Sequence, residues 1–425
     1  MASERVLLFS TTTGYQLRSF SDAAQELVVE LVFATDRCHQ LEDPWRDRAI
    51  PVRFHRERQS VEAVAKAAAS APFHGVIAVG DRPTVLAAMV CDRLGLPGNP
   101  PDAAAASGNK RETRARFAGA GLNVPWHFTL PIRTPAPQAA ADCRIKYPCV
   151  LKPLGLSGSR GVIRANTAKE FAAAFQRIQE LLQRLDVRAL RTGLEDVLLV
   201  EGFIPGREFA VEGVLTNGTF QAFAIFDKPD PLDGPFFEET IYITPSVLGG
   251  LTQVRLLGTI SEACAALGLW HGAVHAECRI GPDGIFVLEV AARPIGGLCS
   301  KAVRFADGLS LEDVLLRHAL GEDITSCAQE AAASAVMMIP IPRRGLLKRV
   351  EGEDRAREVI GIDDVHITAK LDQLLEPLPE AGSYLGFIFA SGGSAGEAEL
   401  AVREAHKRLV FTIEPEIRMM SAASY

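Results

Sequence analysis

The sequence predicts an α/β protein with three domains. Up to about residue 105, short apolar strand segments alternate with helical segments, which is typical of a parallel sheet covered by helices. Further along, two strand segments flank Asn217-Gly218, a dipeptide typical of a β-hairpin turn. From about residue 333 the chain returns to strands and ends in a helical segment. With 425 residues and 48% hydrophobic content, the chain is long enough for several domains and a large core.

The composition argues against several classes of protein. With 45 basic and 52 acidic residues the net charge is -7, which disfavours a general affinity for nucleic acid or an anionic membrane. The 8 cysteines contain no Cys-x-x-Cys pair, so neither a zinc site nor a disulfide framework is indicated. The first apolar run is too short for a signal peptide, and no run of about 18 apolar residues marks a membrane span. We therefore expect a cytoplasmic protein without nucleic acid or membrane partners; a homodimer is left open.

The first domain, residues 1–105, is predicted to be Rossmann-like. Its strands lie in RVLLFS, LVVELVFAT and HGVIAVG, and its helices lie in VEAVAKAAASA and PTVLAAMVCDRLGL. The segment GLPGNPPDAAAASGN is rich in Gly, Pro and Ala and marks the boundary with the next domain.

The second domain, residues 106–325, begins with the helical segment KRETRARFAGAG. It continues with strand YPCVLK, the glycine-rich PLGLSGSRG, helix AKEFAAAFQRIQELLQRL, strand DVLLVEGFI and the hairpin REFAVEGVLTNGTFQAFAIFD. It ends with helix VRLLGTISEACAALG, a second hairpin and helix SLEDVLLRHALG. The third domain, residues 326–425, combines strands SAVMMIPIP, DVHITAK and SYLGFIFA with the helix AGEAELAVREAHKRLVF, so a mixed α/β domain is expected.

The second hairpin, residues 274–294, carries two glutamates where a strand buried on both faces would have none. Alternation places Glu277 and Glu289 on one face, while even-numbered apolar residues such as Leu288 face the core. A three-residue PDG loop, with Gly284 in the left-handed conformation, would place the two glutamates directly opposite each other. Like charges so placed repel, and Mg²⁺ would remove the repulsion. The alternative, two glutamates in solvent on an edge hairpin, stays open.

Two further motifs are compatible with nucleotide binding. Lys152 ends an apolar strand and precedes a glycine-rich loop, which can bring backbone N–H groups close to phosphate oxygens. Glu201 ends the next apolar strand, where the backbone of residues 202–204 could read an adenine edge and Glu208 could accept ribose hydroxyl groups. Taken alone, each motif is more often a turn with a charged surface residue.

The order of these motifs resembles the ATP-grasp superfamily over about residues 106–320. The strings FDKPDPLDGPFFEETIYITPS, HAECRIG, ARPIGGL, MMIPIPRRGLLKRVEG and LPEAGSYLGFIFA look like the carboxylate–amine ligases that include the L-amino acid ligases. The resemblance implies an ATP-grasp fold for the central domain, preceded by a pre-ATP-grasp domain and followed by a ligase-associated domain. It also implies ATP and Mg²⁺, or Mn²⁺, as cofactors, small carboxylate and amine substrates, and an amide product formed through an acyl phosphate.

The resemblance also implies roles for individual residues. Contacts to ATP would come from Lys110, Lys152, Ser157, Gly158, Ser159, Gly161, Glu201, Phe203, Ile204 and Glu208. The metal ligands would be Glu277 and Glu289. Arg293 would be catalytic by stabilising the charge of the acyl phosphate, with a structural salt bridge as the alternative. The substrate contacts would be His275, Lys228, Gly296 and Gly297.

One position departs from the family pattern. Family members usually have an asparagine ligand two residues after the second glutamate, where this sequence has Ala291. The hairpin register places His275 opposite Ala291, but histidine suits Mg²⁺ poorly, so we favour water as the replacement and a substrate contact for His275. A purely structural histidine stays open. The departure also keeps open an ATP-binding regulatory or scaffold protein that has lost transfer. A carboxylase-type ATP-grasp enzyme that uses bicarbonate is a further alternative.

Overall fold

The computed structural model of the chain describes residues 4–11, 16–36 and 49–416, so Cys38 lies outside the described residues. In the N-terminal part, four parallel strands pair in the order β3-β2-β1-β4, which confirms the predicted parallel α/β layer. The elements are β1 (Arg5–Ser10), α1 (Leu17–Glu26), β2 (Glu30–Thr35), β3 (Ile50–Pro51), α2 (Glu57–Ser70), β4 (Gly75–Val79), α3 (Thr84–Leu94) and α4 (Pro101–Ser107).

The next part forms a four-stranded antiparallel sheet in the order β5-β8-β6-β7. Its elements are α5 (Lys110–Gly119), β5 (His127–Pro131), α6 (Ala136–Ala140), β6 (Cys149–Pro153), β7 (Ile163–Ala165), α7 (Ala168–Gln183), α8 (Leu185–Arg188) and β8 (Val197–Gly202). Helix α5 begins at Lys110 because the Asn109 side chain accepts a hydrogen bond from the backbone N–H of Arg111. The glycine-rich loop connects β6 to β7.

A larger antiparallel sheet follows. Its first elements are β9 (Arg207–Thr216), β10 (Thr219–Asp227), β11 (Ile241–Thr244), α9 (Gly250–Leu267), β12 (Gly272–Gly281), β13 (Gly284–Ala291), a 3-10 helix (Cys299–Ala302) and α10 (Leu311–Ala319). The predicted turn between β9 and β10 is confirmed, since Asn217 and Gly218 have φ angles of 51° and 84°, as a tight hairpin turn of the Asn-Gly kind requires.

The C-terminal part adds strands to that same sheet. Its elements are β14 (Ala333–Ile339), β15 (Gly345–Glu351), α11 (Glu353–Arg357), β16 (Ile362–Ile367), β17 (Leu374–Leu375), β18 (Gly386–Gly392), α12 (Ala395–Arg408) and β19 (Val410–Glu414). The eight strands run in the order β13-β12-β9-β10-β11-β14-β18-β16, and a separate sheet has the order β17-β15-β19. The domain boundary near residue 325 stays a proposal, because the strands on its two sides are hydrogen-bonded in one sheet.

One hydrophobic core joins the N-terminal sheet, the large antiparallel sheet and the C-terminal strands. Leu8 of β1, Phe226 of β10, Leu316 of α10, Val336 of β14 and Phe387 of β18 belong to it, and each is fully buried. The chain therefore buries apolar surface between its parts as well as within them. Among the described residues, no helix is both long and apolar enough to cross a membrane.

Candidate active site

A cavity of about 290 Å³ lies where the loop after β4, the glycine-rich loop, the hinge after β8, hairpin β12–β13 and residues 382–384 meet. Most of the predicted site residues line it: Lys110, Lys152, Ser157, Gly158, Ser159, Glu201, Phe203, Ile204, Glu208, His275, Glu277, Glu289, Arg293, Gly296 and Gly297. Two predicted residues, Gly161 and Lys228, are not part of this lining. The fold therefore brings together residues that lie far apart in the sequence.

One end of the cavity is cationic. Lys110, the first residue of α5, donates from Nζ to the Leu156 carbonyl oxygen at 2.6 Å, which places its ammonium group beside the glycine-rich loop. Lys152, on β6, lies with Nζ 2.6 Å from Oε1 of Glu201. Arg114 is a further cation here that sequence reasoning missed, although its position four residues after Lys110 puts both on one face of α5.

Glu201 is held between two of these cations. Its side chain is 1% exposed, and Nε of Arg114 lies 2.8 Å from Oε2 while Lys152 pairs with Oε1. Burial alone would raise the pKa of Glu201, but Arg114 and Lys152 outweigh it and lower the pKa to about 2. The carboxylate is thus ionised and already paired. If this hinge binds adenine as predicted, the backbone near Phe203 and Ile204 is the part left to read the base.

The glycine-rich loop uses positive φ angles at the residues that reach the cavity. Gly158 and Ser159 have φ angles of 61° and 55°, in the left-handed region. Gly161 also has a positive φ but packs away from the cavity, and a Cβ there would approach Pro153 within 2.6 Å and Leu181 within 3.0 Å. The prediction that Gly161 contacts ATP is therefore not supported by its position, because close packing against the β6 strand end requires its lack of a side chain.

The predicted pairing of the two glutamates is confirmed. Glu277 lies directly opposite Glu289, and His275 lies opposite Ala291. The predicted three-residue loop is wrong, because Gly281 pairs with Gly284 and leaves a two-residue turn, with an irregularity in the register next to Glu277.

That irregularity is a β-bulge, which leaves Leu288 without a pairing partner on β12. As a result, the residues before and after the bulge alternate in opposite phase. Leu288 lines the cavity, whereas Ile285 and Val287 are buried in the core. The guanidinium group of Arg114 is hydrogen-bonded to the bulge, since Nη1 donates to the carbonyl oxygens of Val287 at 3.3 Å and Leu288 at 3.0 Å. Arg114 thus joins α5, β8 and β13.

Lys228 lies beneath the acidic end of the cavity. Its ammonium group is 2.8 Å from Glu208, 2.5 Å from Glu239 and 3.3 Å from Glu277, and its side chain is 3% exposed. Burial would lower the pKa of Lys228, but the three carboxylates raise it well above its usual value. These carboxylates enclose the ammonium group, so its position does not support the predicted substrate contact of Lys228, which stays a prediction. Sequence reasoning also missed that Lys228 compensates the charge of Glu277 within the protein.

His275 connects two buried glutamates. Its Nδ1 is 3.1 Å from Oε2 of Glu212 and its Nε2 is 3.5 Å from Oε1 of Glu277. Burial would lower the pKa of His275, but the hydrogen bonds to Glu212 and Glu277 raise it to about 9. At neutral pH the ring is therefore a cation. These contacts engage both ring nitrogens with protein groups, which supports the structural alternative, while the substrate contact of His275 stays a prediction.

Glu239 is a cavity residue that sequence reasoning did not single out, although it lies in FDKPDPLDGPFFEETIYITPS, one of the strings that carry the resemblance. Its Oε2 accepts a hydrogen bond from the Tyr242 hydroxyl group at 2.8 Å, and an oxygen of each of Glu208, Glu239 and Glu277 lies within 4.8 Å of the others. Burial and the neighbouring Glu277 raise the pKa of Glu239 to about 7, against the effect of Lys228. Glu208 itself accepts hydrogen bonds from Lys228 and Arg279, so its predicted ribose contact stays a prediction.

Arg293 forms the salt bridge that was the alternative to a catalytic role, and it also lines the cavity. Its Nε is 2.7 Å from Oδ1 of Asp81, in the loop after β4, and its side chain is 11% exposed. Burial would raise the pKa of Asp81, but Arg293 and the Ser157 hydroxyl group lower it. Asp81 was missed, and it fixes the guanidinium group from the N-terminal part of the chain.

Three family models match separate parts of the sequence. An ATP-grasp N-terminal domain matches residues 21–98, an ATP-grasp domain matches residues 145–302, and an L-amino acid ligase C-terminal domain 2 matches residues 337–414. The matches follow the same order along the chain as the three parts of the structure.

Individual proteins show the same likeness. The chain is 27% identical to an alanine–anticapsin ligase of Bacillus subtilis over 61% of this chain and 57% of that protein, and 30% identical to carnosine synthase 1 of Gallus gallus over 50% and 23%. This chain thus spans about half or less of the length of these two relatives. The crystal structure of an L-amino acid ligase from Bacillus licheniformis superposes with a TM-score of 0.83 at 24% identity, over 97% of this chain and 100% of that one. The chain therefore has an ATP-grasp fold, and its residues 337–414 are similar to the C-terminal domain 2 of the L-amino acid ligases.

Proposed function

We propose that this chain is an ATP-dependent ligase that joins a carboxylate to an amine through an acyl phosphate, with an amino acid as one substrate. The observation that carries the proposal is a single cavity that joins a cationic end, at Lys110 and Lys152, to the opposed pair Glu277 and Glu289 and to Arg293. Triphosphate binding and phosphoryl transfer call for cations and metal-binding carboxylates in this proximity. The names of the relatives, alanine–anticapsin ligase and carnosine synthase, support an amide-forming reaction.

In this proposal the protein acts mainly by positioning and by charge. Lys110 and Lys152 hold phosphate oxygens, and the loop residues Ser157–Ser159 cover them. The substrate carboxylate attacks the γ-phosphorus, which releases ADP and leaves an acyl phosphate. The amine nitrogen then attacks the acyl carbon, and phosphate leaves as the amide forms. Arg293, held by Asp81, stabilises the negative charge that develops on the oxygens, together with backbone N–H groups at Gly296-Gly297.

The opposed pair suits Mg²⁺ or Mn²⁺. Glu277 and Glu289 supply carboxylate oxygens on one face of the hairpin, both line the cavity, and Lys228 and His275 contact Glu277 through Oε1. A cation bound there would neutralise phosphate charge. Ala291 supplies no side-chain oxygen, so water and phosphate would complete the coordination. We propose His275 as a positioning residue that orients the Glu277 carboxylate, because it bonds Glu277 on one side and Glu212 on the other.

The proposal is tested by incubating the full chain with ATP, Mg²⁺ and pooled amino acids, and by measuring ADP release together with new products by mass spectrometry. We expect ADP and an amide product in equal amounts, both dependent on an amino acid. ATP binding without ADP release, whatever acid and amine are supplied, would favour the regulatory or scaffold function. ADP release that depends on bicarbonate would favour the carboxylase function.

The proposal includes the setting of the reaction. We propose small-molecule partners only and a reducing cytoplasm, which is compatible with the free thiols of the described cysteines. Light scattering of the purified chain will decide between a monomer and a homodimer.

A further inference from the structure

A C-terminal segment, residues 376–384, is bonded to the glycine-rich loop. The backbone N–H of Gly161 donates to the Pro379 carbonyl oxygen at 2.9 Å. The Nε of Arg160 donates to the Glu380 carbonyl oxygen at 2.7 Å, and its side chain is only 17% exposed. The loop residues Arg160 and Gly161 are thus hydrogen-bonded to Glu380 and Pro379, which lie more than two hundred positions later in the chain.

The same segment also forms ion pairs with arginines of α7 and of the connection that follows it. Arg177 of α7 donates to both carboxylate oxygens of Glu380, at 2.5 and 2.8 Å. Glu376 pairs with Arg184 at 2.6 Å and with Arg344 of the C-terminal part at 3.0 Å. Exposed ion pairs of this kind contribute little individually. Arg160 is less exposed, bonds a backbone carbonyl oxygen of the segment and also pairs with Asp186 of α8, so it is the side chain best placed to hold the loop against the segment.

The segment also reaches the cavity. Its last three residues, Gly382, Ser383 and Tyr384, line the cavity together with the loop residues Ser157 and Gly158. Gly382 packs directly on the loop, since a Cβ built there would lie 3.0 Å from the Gly158 carbonyl oxygen. A molecule bound beside Tyr384 therefore contacts the end of the same segment whose Pro379 and Glu380 carbonyl oxygens hold the loop.

We propose that segment 376–384 couples occupancy of the substrate end of the cavity to closure of the glycine-rich loop, with Arg160 as the positioning residue that keeps the loop closed. This inference rests on the proposed ligase function. A loop that opens early admits water. The water oxygen then bonds to the acyl carbon, the bond from that carbon to the phosphate oxygen breaks, and the carboxylate, phosphate and a proton are released. ADP is formed in that case without amide.

The test compares Arg160→Gln with Arg188→Gln, a matched control at an exposed arginine on α8. We expect Arg160→Gln to raise the ratio of ADP to amide by about tenfold, the effect of one charge-assisted hydrogen bond, while the KM for ATP changes less. The control should keep the wild-type ratio. Hydrogen exchange of the loop peptide should show less protection in Arg160→Gln when Mg²⁺, a non-hydrolysable ATP analogue, acid and amine are present.

Each outcome bears on one proposal. A wild-type ratio and wild-type loop protection in Arg160→Gln overturn the coupling by Arg160. A wild type that forms no amide overturns the ligase function, and hydrogen exchange with nucleotide alone then still decides whether Arg160 holds the loop. If Arg160→Gln does not fold, Gly382→Ala places a Cβ 3.0 Å from the Gly158 carbonyl oxygen and pushes the segment away from the loop, and an unchanged ratio and loop protection in that variant likewise contradict the proposal.

Discussion

The glutamates of one cavity differ in charge state because each has different neighbours. Glu201 lies against two cations and has a pKa of about 2, whereas Glu239 shares one lysine with two other carboxylates and has a pKa of about 7. Glu277, next to Lys228 and His275, has a pKa well below its usual value despite its burial. One cavity can therefore keep an ionised carboxylate and a carboxyl group that titrates near neutral pH within a few ångströms.

His275 gives the protein a pH-dependent stability. Its pKa is raised to about 9 from 6.5, so the stabilisation is complete below pH 6.5 and is lost as the pH rises through 9. We expect the free energy of unfolding of the wild type to exceed that of His275→Gln most at pH 6, and the difference to shrink by about 3 kcal/mol by pH 9.5. Urea unfolding at a series of pH values measures this, and a constant difference would contradict the charged ring.

Glu289 is expected to be needed for turnover and not for folding. Glu289→Gln removes one proposed metal-binding charge at nearly constant volume, so ADP release should fall by about a hundredfold or more while the melting temperature without nucleotide changes little. Glu262→Gln, at an exposed position on α9, is the control. ADP release by Glu289→Gln near the wild-type rate would contradict the assignment of Glu289 as a metal ligand.

Sequence reasoning found the residues whose motifs are local and missed those whose partners are distant. Lys152 and Glu289 stand in short recognisable strings, so their place in the cavity could be predicted. Arg114 acts through Glu201, 87 positions away, and Asp81 through Arg293, 212 positions away. Glu239 was passed over because its pKa depends on how three strands and a connection are packed. These contacts follow from tertiary structure and leave no local pattern.

At the level of elements, hairpin β12–β13 shows how far periodicity reaches. The pairing of Glu277 with Glu289 could be predicted from alternation, but the loop length and the face of Leu288 could not. A β-bulge accounts for both differences. The carbonyl oxygens at the bulge accept hydrogen bonds from Arg114 of α5, a helix that is remote in the sequence. The alternation of apolar and polar residues in a strand cannot predict a bulge that is stabilised by a different element.

Arg114 should therefore be required for stability. Arg114→Met leaves the buried Glu201 with Lys152 alone and removes the donors to Val287 and Leu288, so we expect a loss of about 3 to 5 kcal/mol in the free energy of unfolding. Arg111→Met, on the same helix but about half exposed, should cost less than about 1 kcal/mol. Equal losses in the two variants, measured by urea unfolding, would contradict the role of Arg114.

For the whole molecule, the shared core predicts that the parts of the chain do not open independently. Leu7 and Leu8 are adjacent and fully buried on β1, but Leu7 packs within the N-terminal part and Leu8 in the core shared with β10 and β14. We expect either change to Ala to cost about 2 to 5 kcal/mol. Only Leu8→Ala should weaken hydrogen-exchange protection in β10 and β14. Equal protection of those strands in both variants would mean that the shared core does not couple them.

The order of strands in the large sheet has a consequence for synthesis of the chain. Strand β11 ends at Thr244, but its neighbour β14 begins only at Ala333, with the β12–β13 hairpin made in between. At ribosomal rates the open side of β11 waits about 5 to 20 seconds for its partner. An unpaired strand side is a template for wrong pairing between chains. Slow translation between these two strands should therefore increase aggregation of the newly made protein, and the cavity cannot be completed until Tyr384 has left the ribosome.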